Sequence, residues 1–364
     1  MHRSLFLLAS CALVASACDR APTSPAARTD AAAAPLAAVW SGGPDKVVTV
    51  MTRNLYLGAS IDPMIAALVQ NPASVPVVAA QTWAVVQGTN FPARAGRLAA
   101  EIVAADPELV GLQEVSLWRT GPVLSPAPAE DVVYDFLDLL LDSLAARGAS
   151  YEAVATSVNT DVEMPSAIGR DIRLTDRDVI IAKAKLPVFN ARDGRYQARL
   201  QFPLPTGGVL PAPRGWTSVD VKIRGESFRF FNTHLETEQF APAQVGQAVE
   251  LLGILAASPL PVIAVGDFNS DADGGSTPTY AMLAGAGFLD AWPQVSEDAG
   301  LTCCHNETLT NPTAAFHSRI DLVLTRGLPG AVAAQVVGDD PADRTAGGLW
   351  PSDHAGVVAV VRLK

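Results

Sequence analysis

The sequence predicts an α/β fold in which mixed β-sheets are covered on the outside by helices. Short apolar runs rich in β-branched residues recur between residues 47 and 361, which indicates many strands. Some of these runs are joined by short turns and others by segments with helical spacing. Turns pair strands antiparallel whereas helical connections allow parallel neighbours, so both kinds of pairing are expected. The chain has no internal period of the length that signals a repeat protein.

The first part of the folded sequence should contain two strands and two helices. Residues 47–51 are predicted as a strand, and residues 109–115 as a buried strand that ends in a carboxylate. Helical spacing predicts a helix at 94–104, and the clearest amphipathic helix is predicted at 131–147. Residues 62–92 contain several Pro, Asn and Gly, so they are expected to form an irregular insertion.

The second part of the sequence should be richer in strands. A short turn that contains glycine predicts a hairpin around residues 224–226, and helical spacing predicts a helix at 242–257. Further strands are predicted at 179–182, 217–223, 228–232, 261–265, 320–324 and 357–361.

Composition and charge restrict the function classes. The chain has 364 residues, 49% of them hydrophobic, which suits one large domain or two modest ones. Its net charge of −11 argues against a general nucleic-acid coat protein, which needs a basic surface. A phosphate-cleaving enzyme is not excluded, because a bound metal ion can supply positive potential locally. Residues 170–199 are basic although the chain as a whole is acidic, since they contain eight Lys or Arg and four Asp. This segment forms either a solvated surface or a rim that faces phosphate.

The N-terminus has the pattern of an export signal at residues 1–18, with basic residues, an apolar run and small residues before Cys18. Cys18 is expected to be lipidated, as in a cell-envelope lipoprotein, and to tether the protein to a membrane. Ordinary cleavage near Ala17, which would give a secreted product, is the alternative. Residues 19–44 are rich in Ala, Pro and Thr and are predicted as a flexible linker, followed by one catalytic domain at 45–364. No second stretch approaches the ~20 apolar residues of a membrane span.

Beyond the signal only two cysteines remain, the adjacent Cys303 and Cys304. Adjacent cysteines are poorly placed for a relaxed disulfide, so two thiols and a vicinal disulfide both stay open. A metal site made by these cysteines and His305 is disfavoured, because no fourth ligand stands at a suitable spacing.

Several polar residues follow apolar strands and are candidates for chemistry. Asp267 and Asn269 come after the predicted strand at 261–265 and are separated by one residue, so in an extended chain both side chains reach one site. Asp offers charge to a metal ion or a nucleophilic water, and the Asn amide can donate to a phosphate oxygen. Glu114 ends another apolar run, where a carboxylate is costly unless it meets a cation.

Two of the five histidines stand at strand ends beside acids or amides, namely His234 and His354. Asp321 can accept a hydrogen bond from the imidazole of His354, which would fix its tautomer and raise its basicity. Arg214 precedes the strand at 217–223 and either contacts phosphate or lies on the surface in a Pro-rich loop.

The order and spacing of these motifs resemble those of the endonuclease/exonuclease/phosphatase superfamily, the DNase I-like metal-dependent phosphoesterases. The resemblance covers most of residues 46–364 and is specific as a set of six, although each motif alone is weak. It implies a four-layer α/β sandwich of two mixed sheets flanked by helices. The motifs are Asn54, Gln113-Glu114, Asn232-Thr233-His234-Leu235, Gly266-Asp267-Phe268-Asn269, Arg319-Ile320-Asp321 and Ser352-Asp353-His354.

The resemblance also implies phosphoester hydrolysis with Mg²⁺ or Mn²⁺ as cofactor. Glu114 matches the principal metal ligand, with Asn54 beside it and Asp353 contributing. Asp267 and Asn269 match the pair that orients the attacking water and the phosphate.

For the imidazoles, the resemblance implies that His354, paired with Asp321, is the acid–base group. His234 matches the second imidazole, which stabilises the phosphate or the leaving group. Sequence leaves open whether His354 or Asp267 takes the proton from water.

Three substrate classes stay open, and no protein partner is predicted. A nuclease-like phosphodiesterase is the activity expected first, and it would use the segment 170–199 as a phosphate groove. A sphingomyelinase-type phospholipid phosphodiesterase should show a protruding aromatic hairpin, which the sequence does not reveal. A phosphomonoesterase would need a dense basic pocket. An inactive binding module is the alternative from another class, and it is disfavoured because every ligand position of the pattern is intact.

Overall fold

The computed structural model describes residues 46–205 and 207–364. The predicted signal at 1–18, the lipidation site Cys18 and the linker at 19–44 lie outside the described residues. Among the described residues, no helix is long and apolar enough to cross a membrane.

The first sheet has eight strands and mixed pairing. Its strands are β1 (Val47–Asn54), β2 (Leu109–Gln113), β3 (Leu117–Pro122), β4 (Asp131–Asp135), β5 (Tyr151–Ser166), β6 (Arg170–Lys183), β15 (Gly330–Val337) and β16 (Gly356–Arg362). They follow the order β15-β16-β1-β2-β6-β3-β4, and β5 pairs with β6 outside this path. Strand β1 is parallel to β2 and antiparallel to β16.

The second sheet has six strands in the order β13-β14-β12-β11-β10-β7, and β11 and β12 are its parallel pair. Its strands are β7 (Val188–Arg195), β10 (Gly215–Ile223), β11 (Glu226–His234), β12 (Val262–Asp267), β13 (Leu289–Asp290) and β14 (Asp321–Arg326). The predicted hairpin at 224–226 joins β10 to β11, with Ile223 paired to Glu226. A separate two-stranded hairpin is formed by β8 (Leu200–Pro203) and β9 (Val209–Ala212).

In the described part of the chain, six α-helices cover the outer faces of the two sheets. They are α1 (Asp62–Gln70), α2 (Val75–Gly88), α3 (Phe91–Ala105), α4 (Phe136–Ala145), α5 (Ala241–Ala256) and α6 (Thr279–Gly285).

The core has three apolar layers, and strand alternation distributes side chains among them. In β1, Val50 belongs to the layer between the two sheets, whereas the next residue, Met51, packs against the helices outside the first sheet. Leu98 of α3 shares the layer of Met51, and Leu251 of α5 belongs to the layer outside the second sheet. Helices, sheet, sheet and helices therefore follow one another, and the expected four-layer α/β sandwich is confirmed.

The expectation that residues 62–92 form an irregular insertion is wrong. The segment contains α1, a short 3₁₀ turn, α2 and the start of α3. Its prolines stand in the first turns of these elements, where proline is tolerated because its missing N–H has no partner in the helix.

The single helix predicted at 131–147 is also wrong at its N-terminal end. Residues Asp131–Asp135 form strand β4 against β3, and the helix begins only at Phe136. The side chain of Asp135 accepts a hydrogen bond from the Leu137 N–H at 3.0 Å, which caps the helix. The helical periodicity of residues 136–145 does not continue into residues 131–135 as a helix, because the β-branched Val132 and Val133 favour a strand.

Candidate active site

Three neighbouring strands of the second sheet bring acidic and imidazole side chains to one edge. His234 ends β11, Asp267 ends β12 and Asp321 begins β14. In the strand register His234 pairs with Asp267, and Asp267 pairs with Asp321. Gly266 has φ 153°, and a Cβ there would lie 2.0 Å from the Thr233 carbonyl oxygen, so β11 and β12 approach closely only because this residue is glycine.

The first sheet supplies the opposite side of the site. Asn54 ends β1 and Glu114 directly follows β2, where it has a left-handed φ of 56°. The sheets are joined at this end by the Gln113 amide, which donates to Asn232 Oδ1 at 2.7 Å. Asn232 in turn donates to the Leu112 carbonyl at 3.0 Å. These bonds between buried side chains fix the two sheets relative to each other where the polar residues meet.

Asp267 lies at the centre of this group. Its Oδ2 atom accepts a hydrogen bond from Asn54 Nδ2 at 3.2 Å and lies 3.5 Å from His234 Nε2 and 3.8 Å from His354 Nε2. The other oxygen, Oδ1, accepts from the Asn269 backbone N–H at 2.9 Å. Burial raises the pKa of Asp267 to about 7. Its carboxyl group can therefore take up and release a proton near neutral pH.

His354 is held by Asp321. Its Nδ1 atom donates to Asp321 Oδ2 at 2.8 Å, which leaves Nε2 directed toward Asp267. Burial alone would lower the pKa of His354, but Asp321, Asp353 and Asp267 together raise it well above its ordinary value. These carboxylates therefore favour the protonated imidazole.

His234 has the opposite electrostatic environment. Burial lowers its pKa well below the ordinary value, and the positive charge of Arg214 lowers it further. The Arg214 Nη1 atom lies 3.2 Å from the imidazole nitrogens of His234. Since a guanidinium only donates, the neutral imidazole accepts there. Arg214 is itself held by Glu236, whose Oε1 atom lies 3.1 Å from Nη2.

Glu114 and Asp353 form an acidic pair beside Asn54. Glu114 accepts from Asn54 Nδ2 at 3.0 Å and from the Leu57 N–H at 2.6 Å. Burial, followed by the charge of Asp353, raises the pKa of Glu114 to about 7, and burial raises the pKa of Asp353 as well. These two carboxylates are partly exposed and line the cavity, so they suit a hard divalent cation, which prefers oxygen ligands. The residues present therefore fit Mg²⁺ or Mn²⁺.

The side-chain amides of Asn54 and Asn269 both make hydrogen bonds within the site. Asn54 turns Nδ2 toward both Glu114 and Asp267, and its Oδ1 accepts from the Tyr56 N–H at 2.9 Å. Asn269 has a left-handed φ of 49° and donates through Nδ2 to the Leu235 carbonyl at 3.0 Å. Non-glycine residues rarely adopt this backbone conformation, and such outliers cluster at functional sites.

Sequence reasoning missed Glu236 and Arg94. Glu236 follows His234 by two residues, and this period of two was the available signal, because the extended chain places both side chains on one face. Arg94 is fully buried in α3 and donates to the carbonyls of Leu55 at 2.7 Å and Pro351 at 2.8 Å. A buried arginine among apolar residues gives no sequence signal for the two loops that it joins.

A cavity of about 550 Å³ opens beside the polar group, and its other walls are largely apolar. Helices α1 and α2 form one wall, and the β8–β9 hairpin forms another. Its polar end holds Glu114, Arg214, His234, Asp267, Asn269, Asp353 and His354, and its apolar side includes Leu57, Met64, Leu68, Trp83, Phe202 and Leu210.

The basic segment 170–199 is not a free phosphate-binding rim along β6. Arg170 lies 2.6 Å from Asp131, Arg173 lies 2.6 Å from Asp161, Arg177 lies 2.6 Å from Asp135 and Lys183 lies 2.8 Å from Asp106. Each of these four cations therefore has a carboxylate partner within the protein.

Comparison with known proteins agrees with this architecture. In a structure of an endonuclease/exonuclease/phosphatase family protein from Leptotrichia buccalis, 99% of the chain aligns with 86% of this one, at 15% identity and a TM-score of 0.52. A family protein from Bacteroides thetaiotaomicron aligns over 98% of its chain and 88% of this one, at 18% identity and a TM-score of 0.52. A mannosyl-6-phosphatase from Bacteroides thetaiotaomicron aligns over 99% of its chain and 86% of this one, at 18% identity and a TM-score of 0.50. At such identities these likenesses establish the fold alone.

Sequence comparison gives the family. No curated protein sequence matches the chain. The profile of the Endonuclease/Exonuclease/phosphatase family, however, matches residues 86–354. This match covers more than half of the chain and includes all seven polar residues named above at the end of the cavity. The chain therefore belongs to the Endonuclease/Exonuclease/phosphatase family, whose members are divalent-metal-dependent hydrolases of phosphoesters.

Proposed function

We propose that the protein is a divalent-metal-dependent phosphodiesterase that uses Asp267 and His354 to hydrolyse a P–O bond. The observation that carries this proposal is the position of Asp267 Oδ2, which lies 3.5 Å from His234 Nε2 and 3.8 Å from His354 Nε2. A phosphodiester is anionic and repels hydroxide, so catalysis must position a water and neutralise charge on phosphate. Asp267 is suited to the first task and His354 to the second.

Asp267 is the better candidate for the base. Its pKa of about 7 lets its carboxylate accept the proton of an attacking water at neutral pH. The protonated His354, held by Asp321, donates from Nε2 to a phosphate or leaving-group oxygen. Neutral His234 and the cation Arg214 contribute further hydrogen bonds on the same side.

Glu114 and Asp353 would hold the metal ion, with Asn54 orienting the Glu114 carboxylate. When bound, the ion supplies Lewis acidity toward a phosphoryl oxygen. Asn269 lines the same cavity and keeps one amide N–H for the phosphate, because its bond to Leu235 uses only the other.

Hydrolysis of bis-p-nitrophenyl phosphate by purified residues 45–364, with Mg²⁺, with Mn²⁺ and with EDTA, tests this function. Metal-dependent release of p-nitrophenol that disappears in His354→Ala supports a phosphodiesterase. Release from p-nitrophenyl phosphate but not from the diester would point instead to a phosphomonoesterase, the class of the mannosyl-6-phosphatase neighbour. Absence of release from both compounds would contradict the proposal.

The apolar cavity favours an amphiphilic phosphodiester over a nucleic acid. The phosphate-reacting groups lie at one end of the cavity, and Met64, Leu68 and Phe202 line the adjoining walls. The fold also brings Phe202 to within 6.1 Å of Phe240, measured between ring centroids, an aromatic pair that the sequence did not reveal. A phosphate bound at the polar end would place a long apolar substituent against these walls. A phospholipid-type diester is therefore the preferred substrate class, and a nuclease-like activity is second.

Methyl and dodecyl p-nitrophenyl phosphate separate these alternatives, since they share the leaving group and differ in the apolar substituent. Dodecyl p-nitrophenyl phosphate should have a kcat/KM at least ~10-fold higher, because each buried methylene contributes to binding. Leu68→Asp should remove most of this preference. Val249→Asp should keep it, because Val249 is an exposed residue of α5 that does not line the cavity. Equal rates for both diesters, together with hydrolysis of a DNA oligonucleotide, would favour the nuclease-like activity.

We also propose that the protein is exported and tethered to the membrane through a lipid on Cys18. The proposal rests on the signal pattern at 1–18 and the linker composition at 19–44. Cell fractionation of the Cys18→Ser form tests it. A Cys18→Ser protein that stays in the membrane fraction as fully as the unaltered one would refute lipidation at this residue.

A further inference from the structure

The adjacent cysteines lie directly beside the imidazole of His354. The backbone of residues 302–305 runs alongside 353–355, with hydrogen bonds of 2.8 Å from Ala355 N–H to the Thr302 carbonyl and from His305 N–H to the Asp353 carbonyl. Between these bonds, Cys303 pairs with His354 in an antiparallel bridge. The position of the two cysteines relative to His354 is therefore fixed by the backbone on both sides.

Their sulfur atoms face the nitrogen of His354 that is free for chemistry. The Cys304 Sγ atom lies 3.7 Å from His354 Nε2, and the two sulfurs and an imidazole nitrogen of His354 all lie within 4.8 Å of one another. The other ring nitrogen, Nδ1, is occupied by Asp321. Both cysteines line the cavity, so small solutes reach them from the same side as a substrate.

We infer that reduction of the Cys303–Cys304 disulfide creates a binding site for a thiophilic divalent ion such as Zn²⁺, formed by both sulfurs and His354 Nε2. Two thiolates and one imidazole are a donor set that Zn²⁺ prefers, whereas Mg²⁺ and Mn²⁺ prefer the carboxylates of Glu114 and Asp353. Asp267 Oδ2 lies 3.8 Å from His354 Nε2 and is therefore placed to serve as a fourth ligand. An ion bound here occupies Nε2 of His354 and stops hydrolysis.

Reduction of the Cys303–Cys304 disulfide needs a two-electron reductant, and a phosphine supplies these electrons. The disulfide joins Cys303 to Cys304 in the structure. The phosphine gives two electrons to the S–S bond, which breaks, and two protons convert the sulfurs to thiols. The phosphine takes an oxygen atom from water and becomes its oxide. Ion binding then releases the two thiol protons and the Nε2 proton of His354 as the metal–sulfur and metal–nitrogen bonds form.

Cobalt titration tests the site independently of the proposed phosphodiesterase function. Co²⁺ is added to residues 45–364 before and after phosphine reduction, with Mg²⁺ in excess to occupy the carboxylate site. The reduced protein should show a thiolate-to-Co²⁺ charge-transfer band that saturates at one ion per chain, and the oxidised protein should not. The double variant Cys303→Ser/Cys304→Ser, which changes only the sulfur atoms, should lack the band in both states.

Hydrolysis in the presence of Zn²⁺ provides the second measurement. Zn²⁺ should inhibit the reduced enzyme at a concentration at least ~10-fold lower than the oxidised enzyme, given the preference of zinc for thiolates. The double variant should hydrolyse the diester and respond to Zn²⁺ like the oxidised enzyme in both states. No Co²⁺ band on the reduced protein, or equal Zn²⁺ inhibition of the reduced enzyme and the double variant, would overturn the inference. A reduced protein that shows the band but hydrolyses no diester would keep the binding site and refute only the proposed activity.

Discussion

Asp267 touches more of the reactive side chains than any other residue of the candidate site. One of its oxygens faces Asn54, His234 and His354 together, and the other is fixed by the Asn269 backbone. Such sharing means that the protonation states of these groups depend on one another. Changes at Asp267 or at its imidazole partners should therefore affect turnover far more than folding.

Removing either reactive side chain should abolish most of the activity. Asp267→Ala or His354→Ala is expected to lower hydrolysis by at least ~10²-fold, the usual scale for loss of an acid–base group. Circular dichroism and thermal unfolding check that each variant is folded. Turnover close to that of the unaltered protein in either variant would exclude the proposed roles.

Metal affinity should depend on pH through Glu114. Its pKa of about 7 means that a proton competes with the metal ion below neutral pH. The Mg²⁺ affinity measured by calorimetry is expected to be roughly tenfold weaker at pH 6 than at pH 8, as proton competition at a single group of that pKa requires. An affinity that is constant over this range would show that Glu114 is not a metal ligand. Glu114→Gln, which cannot ionise, is the control and should show weak binding at both pH values.

Several residues of the candidate site were predictable from sequence because each follows a recognisable apolar strand. His234, Asp267 and Asp321 stand at strand ends, so the strand pattern alone places them at one edge of a sheet. Their charge states were not predictable, since they depend on neighbours from distant parts of the chain. Burial and then Arg214 lower the pKa of His234, whereas three carboxylates around His354 raise the pKa of that imidazole.

Among the secondary-structure elements, β12 is the one that the site depends on most. It lies between β11 and β14 and contributes both Gly266 and Asp267. The absence of a side chain at Gly266 lets the Thr233 carbonyl come close, so β11 and β12 are held in register at their ends.

Replacement of Gly266 should destabilise the folded protein. Gly266→Ala is expected to lower the free energy of unfolding by more than ~2 kcal/mol, because its Cβ would meet backbone and the left-handed region disfavours alanine. Gly253→Ala is the matched control, since Gly253 is exposed in helix α5 with nothing within 4 Å of the added Cβ. That change should stabilise the protein by ~0.5–1 kcal/mol. Urea unfolding of both variants measures the difference, and equal effects would contradict this account of β12.

The elements that sequence reasoning misjudged are those whose local signals conflict with their tertiary position. The prolines of 62–92 read as helix breakers, yet they begin helices α1, α2 and α3. Asp131–Asp135 continues the helical spacing of α4 but pairs with β3, because that strand would otherwise lack a partner on this side. Strand partners are set by distant segments, so local periodicity does not determine such boundaries.

At the scale of the whole molecule, the site lies where the two sheets meet and contains carboxyl groups whose pKa values are raised by folding. Glu114 and Asp267 have pKa values of about 7 in the folded protein, above the ordinary values of 4.5 and 3.8. Folding therefore favours their protonated forms. This contribution to stability is complete below the ordinary values and is lost as pH rises through about 7.

Chelation should therefore destabilise the protein mainly at high pH. In EDTA, the Tm is expected to be lower at pH 8 than at pH 5, and saturating Mg²⁺ at pH 8 should raise it again by binding the folded state alone. Scanning calorimetry at the two pH values, with and without Mg²⁺, measures both effects. A Tm at pH 8 that does not respond to Mg²⁺ would contradict a metal site at Glu114 and Asp353. Glu114→Gln should reduce the response to Mg²⁺ while leaving the response to pH in EDTA only partly changed.

The β8–β9 hairpin and helices α1 and α2 form the cavity walls, yet none of them is a strand of either large sheet. The reactive residues, in contrast, come from the central strands and the segments next to them. Mutation can therefore reshape the walls without disturbing the strands that hold His234, Asp267 and Asp321. A library that varies only residues 62–70 and 200–212 should yield enzymes that accept new phosphoester substituents while keeping the same pH profile and metal requirement.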